Sequence, residues 1–165
     1  MAEEFVIARV FDAPRDLVFK AHTDCERLKH WWGPKGFKVR VCKLDLRPGG
    51  TFHYCLTSPK GEDMWGKFVY REIVRPERLV FVSSFSDEAG GNTRHPMAPD
   101  WPLEMLNTAT FTEERGRTTL TLRSTALNAT PAEHAAFVAA HRGMEQGWGG
   151  TFDQLARYLA AEQAK

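Results

Sequence analysis

Four side chains in this sequence could take part in acid–base chemistry: His53, Tyr54, Glu104 and His141. Proton transfer would need at least two of them within about 3 Å of one reacting atom. His53 shares strand parity with Cys55, opposite to Tyr54, so we expect His53 to point away from the interior. A single histidine on the apolar side of a helix, such as His141, is typical of a packed core residue. The sequence holds no GxSxG, HExxH or glycine-rich phosphate motif, and we predict no catalytic residue.

The cysteines and the histidines near them are candidate metal ligands. His22 lies three residues before Cys25, a spacing that a helix could use, but no second pair supplies the remaining ligands. Cys42, His53 and Cys55 fall on adjacent predicted strands, an unusual source for a zinc site. We predict no metal and no cofactor. The three cysteines cannot all pair within one chain, and no CxxC spacing is present, so we expect reduced thiols and a cytoplasmic location.

Basic residues are concentrated between positions 27 and 47, where seven basic side chains stand against one acid. Lys38 and Arg40 alternate with Val39 and Val41, a pattern that indicates a solvated strand face. The net charge of the chain is +1, and no nucleic-acid recognition motif accompanies the basic residues, so no nucleic-acid partner is expected. A docking face for an acidic protein partner stays open as an alternative.

Aromatic residues are the strongest compositional signal, at 12% of the chain with five tryptophans. Core packing explains any one of them, whereas the group favours a pocket for a flat or aliphatic ligand. The predicted ligand-binding residues are Trp32, Phe37, Phe52, Tyr54, Trp65, Phe68, Phe81, Phe85, Trp101, Met105, Met144 and Trp148.

The sequence pattern predicts a strand over 5–11, a helix that starts at Pro14 and a short helix over 24–31 capped by Asp24. From residue 37 onwards, apolar and polar residues alternate in six strands. The alternation slips near Val41 and again before Ile73, which predicts two β-bulges that bend the sheet. The segment 86–103 is long for a loop and is typical of a lid or a binding loop.

The C-terminal segment predicts one long amphipathic helix. Thr130, Pro131 and Glu133 form a capping-box signature, and apolar residues then recur at helical spacing as far as Leu159. Glycines interrupt this helix, and each is expected to cost about 0.8–1 kcal/mol relative to alanine. Close packing of the two short helices is the favoured explanation, with a bend or room for a ligand as alternatives. The four glycines are Gly143, Gly147, Gly149 and Gly150.

These elements predict a single α+β domain over residues 1–165. A bent antiparallel sheet of about seven strands would wrap around the long C-terminal helix, with two short helices after the first strand. Such a sheet and helix leave a wedge-shaped space where small molecules bind. The N-terminus lacks the pattern of a signal peptide, and no window reaches about 20 apolar residues, so no membrane insertion is expected.

Several segments resemble a known family when read in order. RVFDAPRDLVFKAHTD, ERLKHWWGPKGF, DLRPGGTFHY and GMEQGWGGTFDQLARYLA are similar to bacterial relatives of the C-terminal domain of the activator of heat-shock protein 90 ATPase, within the START-like (SRPBCC) superfamily. The resemblance covers about residues 5–159 and implies a helix-grip fold with a deep cavity. This chain departs from the family at His22 and Cys25, where the family usually has Trp and Pro.

The resemblance implies a function in binding lipids, polyketides or aromatic metabolites, because members of the superfamily bind apolar molecules. A chaperone-type protein-interaction module, with the stress response that the family name suggests, is one alternative. An enzyme of cyclase/aromatase or hydrolase type is another, although a role without catalysis is the expectation. The oligomeric state is left open, and a homodimer is one possibility.

Overall fold

The fold is built on one antiparallel sheet that is closed on its concave side by helices. The structure is a computed structural model that describes residues 4–95 and 98–165. Its elements are β1 (Phe5–Phe11), α1 (Arg15–Thr23), α2 (Cys25–Leu28), β2 (Lys38–Leu44), β3 (Thr51–Thr57), β4 (Asp63–Val74), β5 (Arg78–Ser86), β6 (Asn92–Thr93), β7 (Glu104–Glu114), β8 (Arg117–Leu127), α3 (Pro131–Ala139) and α4 (His141–Gln163). The strand order is β1-β8-β7-β5-β4-β3-β2, with the short β6 beside β5. This confirms the predicted α+β helix-grip fold.

Two irregularities bend the sheet, close to the predicted positions. The β2–β3 register shifts between Val39 and Val41, and the β4–β5 register shifts between Tyr70 and Glu72. An extra residue on one strand increases the local twist and bends that strand. The bulges therefore help to curve β2 to β5, and β3, β4 and β5 carry most of the aromatic residues of the sheet.

The concave face of the sheet packs against the C-terminal half of α4. Thr151, Phe152, Leu155 and Leu159 are the buried residues of α4, and the ring of Phe152 meets the ring of Phe11 at 5.9 Å in a T-shaped contact. Alternate residues of each strand face this helix, which is the period of two that the sequence shows. The apolar core thus forms between the concave sheet face, the C-terminal half of α4 and buried residues of α1 and α2 such as Phe19 and Leu28.

The predicted single C-terminal helix is two helices. The capping box of Thr130 and Glu133 is present, but it starts α3, which ends at Ala139. The backbone turns at Ala140, and α4 begins at His141. The break allows α3 to leave the axis of α4 and to bury Phe137 beside the ring of Trp101, 6.0 Å away. Apolar periodicity continues through the break, so the sequence pattern did not reveal it.

The glycines of α4 are not explained by close packing, and this prediction was wrong. A Cβ atom added at Gly143, Gly147, Gly149 or Gly150 would meet no other atom within 4 Å. Gly143 and Gly147 are also exposed. The short helices α1 and α2 therefore do not require these glycines.

The expectation that all cysteines are reduced is also corrected by the structure. Cys25, at the start of α2, forms a disulfide with Cys42 of β2, and the two Cα atoms lie 5.8 Å apart. Cys55 is free and buried. The sequence spacing did not reveal the pair, because α2 and β2 meet only once the chain has turned after Gly33. No helix of the described residues is long and apolar enough to cross a membrane.

Candidate ligand-binding site

Several spaces border α4 among the described residues, and two of them adjoin each other through shared aromatic walls. The inner cavity has a volume of about 30 Å³ and is lined by His22, Leu28, Trp32, Phe52, Phe68, Tyr70, Leu79, Phe81, Ala109, Leu120, Leu122, Trp148 and Phe152. The mouth pocket has a volume of about 220 Å³ and is lined by Trp32, Tyr54, Phe68, Ser83, Ser84, Phe85, Trp101, Pro102, Met105, Met144 and Trp148. Three aromatic residues, Trp32, Phe68 and Trp148, belong to both linings.

The indole ring of Trp32 separates the two spaces. Its centroid lies 5.5 Å from that of Tyr54, 5.5 Å from that of Phe68 and 5.7 Å from that of Trp148. Trp32 is only 9% exposed, and its Nε1 atom is buried with no hydrogen-bond partner in the structure. The neighbouring Trp31 is a core residue whose Nε1 donates to the carbonyl of Ala21 at 3.0 Å. The two adjacent tryptophans therefore have different roles.

The two volumes imply different occupants. A space of about 30 Å³ has room for roughly one or two water molecules. The mouth pocket, at about 220 Å³, exceeds the engineered apolar cavity of about 150 Å³ that binds benzene. In this conformation, the mouth pocket has room for a small organic molecule, and the inner cavity is its floor. A neighbouring space of about 250 Å³, lined by Leu56, Met64 and Gly147, is of similar size.

Tyr54 reaches the mouth pocket across strand β4. It lies opposite Gly66 in the β3–β4 register, and a Cβ at Gly66 would come within 2.4 Å of the Tyr54 hydroxyl oxygen. Gly66 thus leaves the space that the phenol ring occupies. Burial raises the pKa of Tyr54, so the hydroxyl keeps its proton at neutral pH. Within the part of the chain that the structure describes, that hydroxyl has no hydrogen-bond partner.

A buried polar network positions Ser83 at the mouth pocket. The Nδ2 atom of Asn107 donates to Ser83 Oγ at 2.8 Å and to the carbonyl of Met105 at 3.1 Å. The Oδ1 atom of Asn107 accepts a hydrogen bond of 2.6 Å from the hydroxyl of Ser124. Asn107 and Ser124 are only 3% and 1% exposed. Because Ser83 accepts from Asn107, its own hydroxyl proton is left to be donated elsewhere.

His22 forms one wall of the inner cavity. Its ring lies 4.7 Å from that of Trp31 and 5.2 Å from that of Phe111, and Nδ1 is 2.8 Å from the carbonyl oxygen of Val18. Burial lowers the pKa of His22 to about 4, so the ring is neutral at pH 7 and donates to Val18. His22, one of the two positions at which the sequence departs from the pattern it resembles, thus reaches the interior.

The segment between β6 and β7 covers the mouth pocket with Trp101. Arg94 forms an ion pair with Glu133 of α3, and Arg94 Nη1 lies 3.4 Å from the carbonyl oxygen of Trp101. The ring of His95 packs edge-on against Phe85 at 4.7 Å. These contacts join described residues of the long loop to the sheet and to α3 at one opening; a role of the loop as a lid or binding loop stays a prediction.

Most of the predicted ligand-binding residues line one of these spaces. The mouth pocket collects Trp32, Tyr54, Phe68, Phe85, Trp101, Met105, Met144 and Trp148, and the inner cavity adds Phe52 and Phe81. Phe37 is half-buried at the edge of the core and borders neither space. His22 and Ser83 were missed. The departure from the family pattern pointed to His22, whereas only strand parity with Phe81 and Phe85 could have indicated Ser83.

Trp65, predicted among the ligand-binding residues, lies instead on the convex face of the sheet. Its ring stacks on His53 at 5.0 Å, and the guanidinium carbon of Arg40 lies 5.5 Å from the ring centroid. Neighbouring residues of a strand point to opposite faces, and Gly66 and Phe68 face the interior. The parity of β4 therefore places Trp65 outside.

The four acid–base candidates do not come together. His53 lies on the convex face with Nε2 3.1 Å from the carbonyl oxygen of Asp87, whereas Tyr54 lies on the concave face. Glu104 accepts a hydrogen bond from Asn92 at 3.2 Å. His141 packs edge-on between the rings of Phe5 and Phe137, with its Nε2 atom buried and unpartnered in the structure. No group of three or more His, Cys, Asp or Glu among the described residues could hold a metal ion.

Much of the basic stretch at 27–47 is neutralised by acidic side chains. The ion pairs are Arg27 with Glu162 at 3.1 Å, Lys29 with Glu26 at 2.5 Å, Arg40 with Asp63 at 2.9 Å and Arg47 with Asp45 at 2.7 Å. Lys35, Lys38 and Lys43 are exposed and have no ion pair among the residues that the structure describes. Only part of the predicted basic face is thus available for an acidic partner.

Comparison with known proteins places this fold and site in a family. No curated protein matches the chain. A crystal structure of a Mycobacterium smegmatis protein is 29% identical, with a TM-score of 0.76 over 94% of this chain and 90% of that one. A solution NMR structure of an Arthrobacter aurescens protein is 26% identical, with a TM-score of 0.77 over 97% and 87%. Residues 12–160 match the family described as Activator of Hsp90 ATPase homolog 1-like protein. The chain therefore belongs to this family.

Proposed function

We propose that this protein binds a small apolar molecule in the mouth pocket. The observation that carries the proposal is an apolar opening of about 220 Å³ between the sheet and α4, walled by Trp32, Trp101 and Trp148. Lipid- and metabolite-binding pockets share this character, since apolar walls supply affinity and a few polar groups supply orientation. The volume favours a molecule of one or two rings over a sterol or a diacyl lipid.

The indole N–H signals of the five tryptophans offer a direct test by ¹H–¹⁵N NMR. We choose two neutral bicyclic probes, tetralin and 1-tetralone. Binding in the mouth pocket is expected to shift the signals of Trp32, Trp101 and Trp148 in a saturable way. The signals of Trp31, in the core, and Trp65, on the convex face, serve as internal controls and should not move. The absence of saturable shifts with both probes would overturn the proposal.

A matched pair of variants locates the binding. Met105→Trp places a larger side chain in the mouth pocket and is expected to abolish the shifts, while an unchanged Trp31 signal would report a native core. Trp65→Phe alters a large aromatic residue on the opposite face and should leave both affinities unchanged. If Met105→Trp bound the probes as well as the unaltered protein does, the mouth pocket would not be the site.

The family name favours a second candidate, a chaperone-type interaction module. The unpaired side chains of Lys35, Lys38 and Lys43 would form its acidic-partner face. This candidate predicts that the protein raises the ATPase rate of purified heat-shock protein 90, and that reversal of the three lysines to glutamate removes the effect. Arg47→Glu, at a cation already paired with Asp45, is the control. An unaltered ATPase rate on adding the protein would exclude this candidate.

Two broader expectations accompany the proposal. A cytoplasmic location is supported by the absence of a membrane-spanning helix among the described residues, while the Cys25–Cys42 disulfide counts against a strongly reducing compartment. Alkylation of free thiols in intact cells, followed by mass spectrometry, shows whether Cys25 and Cys42 are reduced, as expected in the cytoplasm, or oxidised.

A homodimer is the second expectation, and sedimentation velocity over a range of concentrations tests it.

A further inference from the structure

The Ser84 hydroxyl at the mouth pocket donates to Asn92 Oδ1 at 3.2 Å, but three other donors that border the pocket have no acceptor among the described residues. They are the hydroxyl of Tyr54, the hydroxyl of Ser83 and the indole N–H of Trp32. Among the described residues that line the pocket, none is charged. The buried Nε1 atom of Trp32 has no partner among the described residues, and a donor in that state costs about 1–3 kcal/mol. The hydroxyls of the half-buried Tyr54 and Ser83 are free to donate, so a ligand that supplies an acceptor gains affinity there.

Two of these donors, the hydroxyls of Ser83 and Tyr54, are held in place by neighbouring residues of the sheet. Asn107 fixes Ser83 by donating to its hydroxyl oxygen, and the hydroxyl of Ser124 in turn fixes Asn107 by donating to its Oδ1 atom. Gly66 leaves the room in which the Tyr54 hydroxyl lies over β4. The donors therefore sit on rigid strands rather than on mobile loops, which is the arrangement that orients a ligand.

We infer that the ligand is an uncharged cyclic molecule with a hydrogen-bond-accepting oxygen, which the hydroxyls of Tyr54 and Ser83 bind while the ring system packs against Trp32 and Trp148. This inference rests on the proposed function and narrows it to one ligand class. A carboxylate or phosphate head group is disfavoured, because the pocket offers no cation to replace its hydration. A pure hydrocarbon leaves the donors unpaired and binds more weakly.

Three probes that share one bicyclic ring system test the inference by isothermal titration calorimetry. They are tetralin, which has no oxygen, 1-tetralone, which has a carbonyl acceptor, and 1,2,3,4-tetrahydro-1-naphthoate, which carries a negative charge. We expect 1-tetralone to bind about fivefold more tightly than tetralin, the typical effect of a net hydrogen bond. We expect the naphthoate to bind at least about tenfold more weakly than 1-tetralone.

Matched variants assign the effect to the two hydroxyls. Tyr54→Phe and Ser83→Ala each remove one hydroxyl, and each is expected to reduce the preference for 1-tetralone over tetralin while leaving tetralin affinity within about twofold. Tyr158→Phe removes a hydroxyl that accepts from Arg27 in the C-terminal part of α4, outside the lining of the mouth pocket, and this control should keep the full preference. Thermal unfolding of each variant reports whether the fold is retained.

The possible outcomes separate this inference from the proposed function. Equal binding of tetralin and 1-tetralone would overturn the ligand class and leave the apolar site standing. So would tight binding of the naphthoate, or an unaltered 1-tetralone preference in both Tyr54→Phe and Ser83→Ala. Failure of all three probes to bind would overturn the proposed function and, with it, this inference.

Discussion

At the scale of single residues, a few polar side chains in the interior form a hydrogen-bonded network beneath the mouth pocket. Asn107 bonds to Ser83 and Ser124, and its amide is fully satisfied within the sheet. A satisfied buried network fixes its members in one arrangement, whereas a network with one member removed leaves polar atoms without partners. The network beneath the mouth pocket is therefore sensitive to single substitutions.

Ser124→Ala tests this network by removing one donor. The Oδ1 atom of Asn107 would lose its hydrogen bond while remaining buried, and we expect the free energy of unfolding to fall by about 1–3 kcal/mol. Urea denaturation measures the change. Ser84→Ala is the matched control, because that serine bonds Asn92 at the edge of the sheet and its loss should cost less than about 0.5 kcal/mol. Equal effects of the two variants would contradict the argument.

His22 predicts a specific dependence of stability on pH. Its pKa in the folded protein is about 4, below the ordinary value of 6.5, so between these values the unfolded chain binds the extra proton. Stability therefore decreases as the pH falls through this window, by about 2 kcal/mol between pH 7 and pH 5. His22→Gln removes the titration. The variant should lose about 2 kcal/mol less than the unaltered protein over this range, as measured by urea denaturation, and identical pH slopes would refute the assignment.

The residues that sequence analysis placed correctly are those whose position depends on local parity. Tyr54, Phe68 and Phe81 face the interior. At these positions the alternation of inward-facing and outward-facing side chains along each strand is not interrupted. Trp65 is predicted on the inner face from its aromatic type, and this prediction is wrong. It stands directly before the inward-facing Gly66 in β4, so strand parity places its side chain on the outer face. Ser83 was not proposed because a serine in an aromatic strand carries no signal until its partner Asn107 is known.

At the scale of elements, α4 consists of two unequal halves. Its buried residues all lie between Thr151 and Leu159, where Thr151 Oγ1 donates to the carbonyl of Gly33 at 3.2 Å and Gln154 Nε2 donates to the same carbonyl at 2.6 Å. The first ten residues hold all four glycines and no buried residue. Met144 and Trp148 on this half form a wall of the mouth pocket. We therefore expect the half that borders the mouth pocket to be the less stable half.

Gly143→Ala combined with Gly147→Ala tests the origin of this difference. Both positions have open space for a Cβ, and each change is expected to stabilise the helix by about 0.8–1 kcal/mol. Hydrogen exchange should show faster exchange in 141–150 than in 151–163, and the double variant should slow the first segment by about tenfold or more. Glu145→Ala, which leaves the backbone freedom of the same segment unaltered, is the control. Unchanged exchange in the double variant would rule out the glycines as the cause.

The elements themselves were largely predictable because their signals are local. Alternation marked the long strands and both bulges, and the Thr130 capping box marked the start of α3. The turn at Ala140 was not predictable, because alanine favours helix and the apolar stripe runs on through it. The nearest long-range contact to the turn is that of Phe137 with Trp101, which lies far away in the sequence and carries no local signal.

At the scale of the whole molecule, the Cys25–Cys42 disulfide joins the short helices to an edge strand. The segment between the two cysteines contains Trp32, the residue that separates the inner cavity from the mouth pocket. Closing this segment reduces the freedom of the unfolded chain. It also ties the short-helix side of the site to the sheet. The pairing is a property of the complete fold, which is why cysteine spacing alone did not predict it.

Reduction of this disulfide is expected to lower the free energy of unfolding by about 3 kcal/mol. This is the usual effect of a disulfide between cysteines that are 17 residues apart in the sequence. Guanidinium denaturation with and without a reducing agent measures the difference. The double variant Cys25→Ser, Cys42→Ser is the control, because its stability should not respond to the reducing agent. The oxidised protein, once unfolded, should expose one titratable thiol, that of Cys55. Three titratable thiols in protein purified without reductant would show that the pair is not oxidised, and the short helices would then be held to β2 by packing alone.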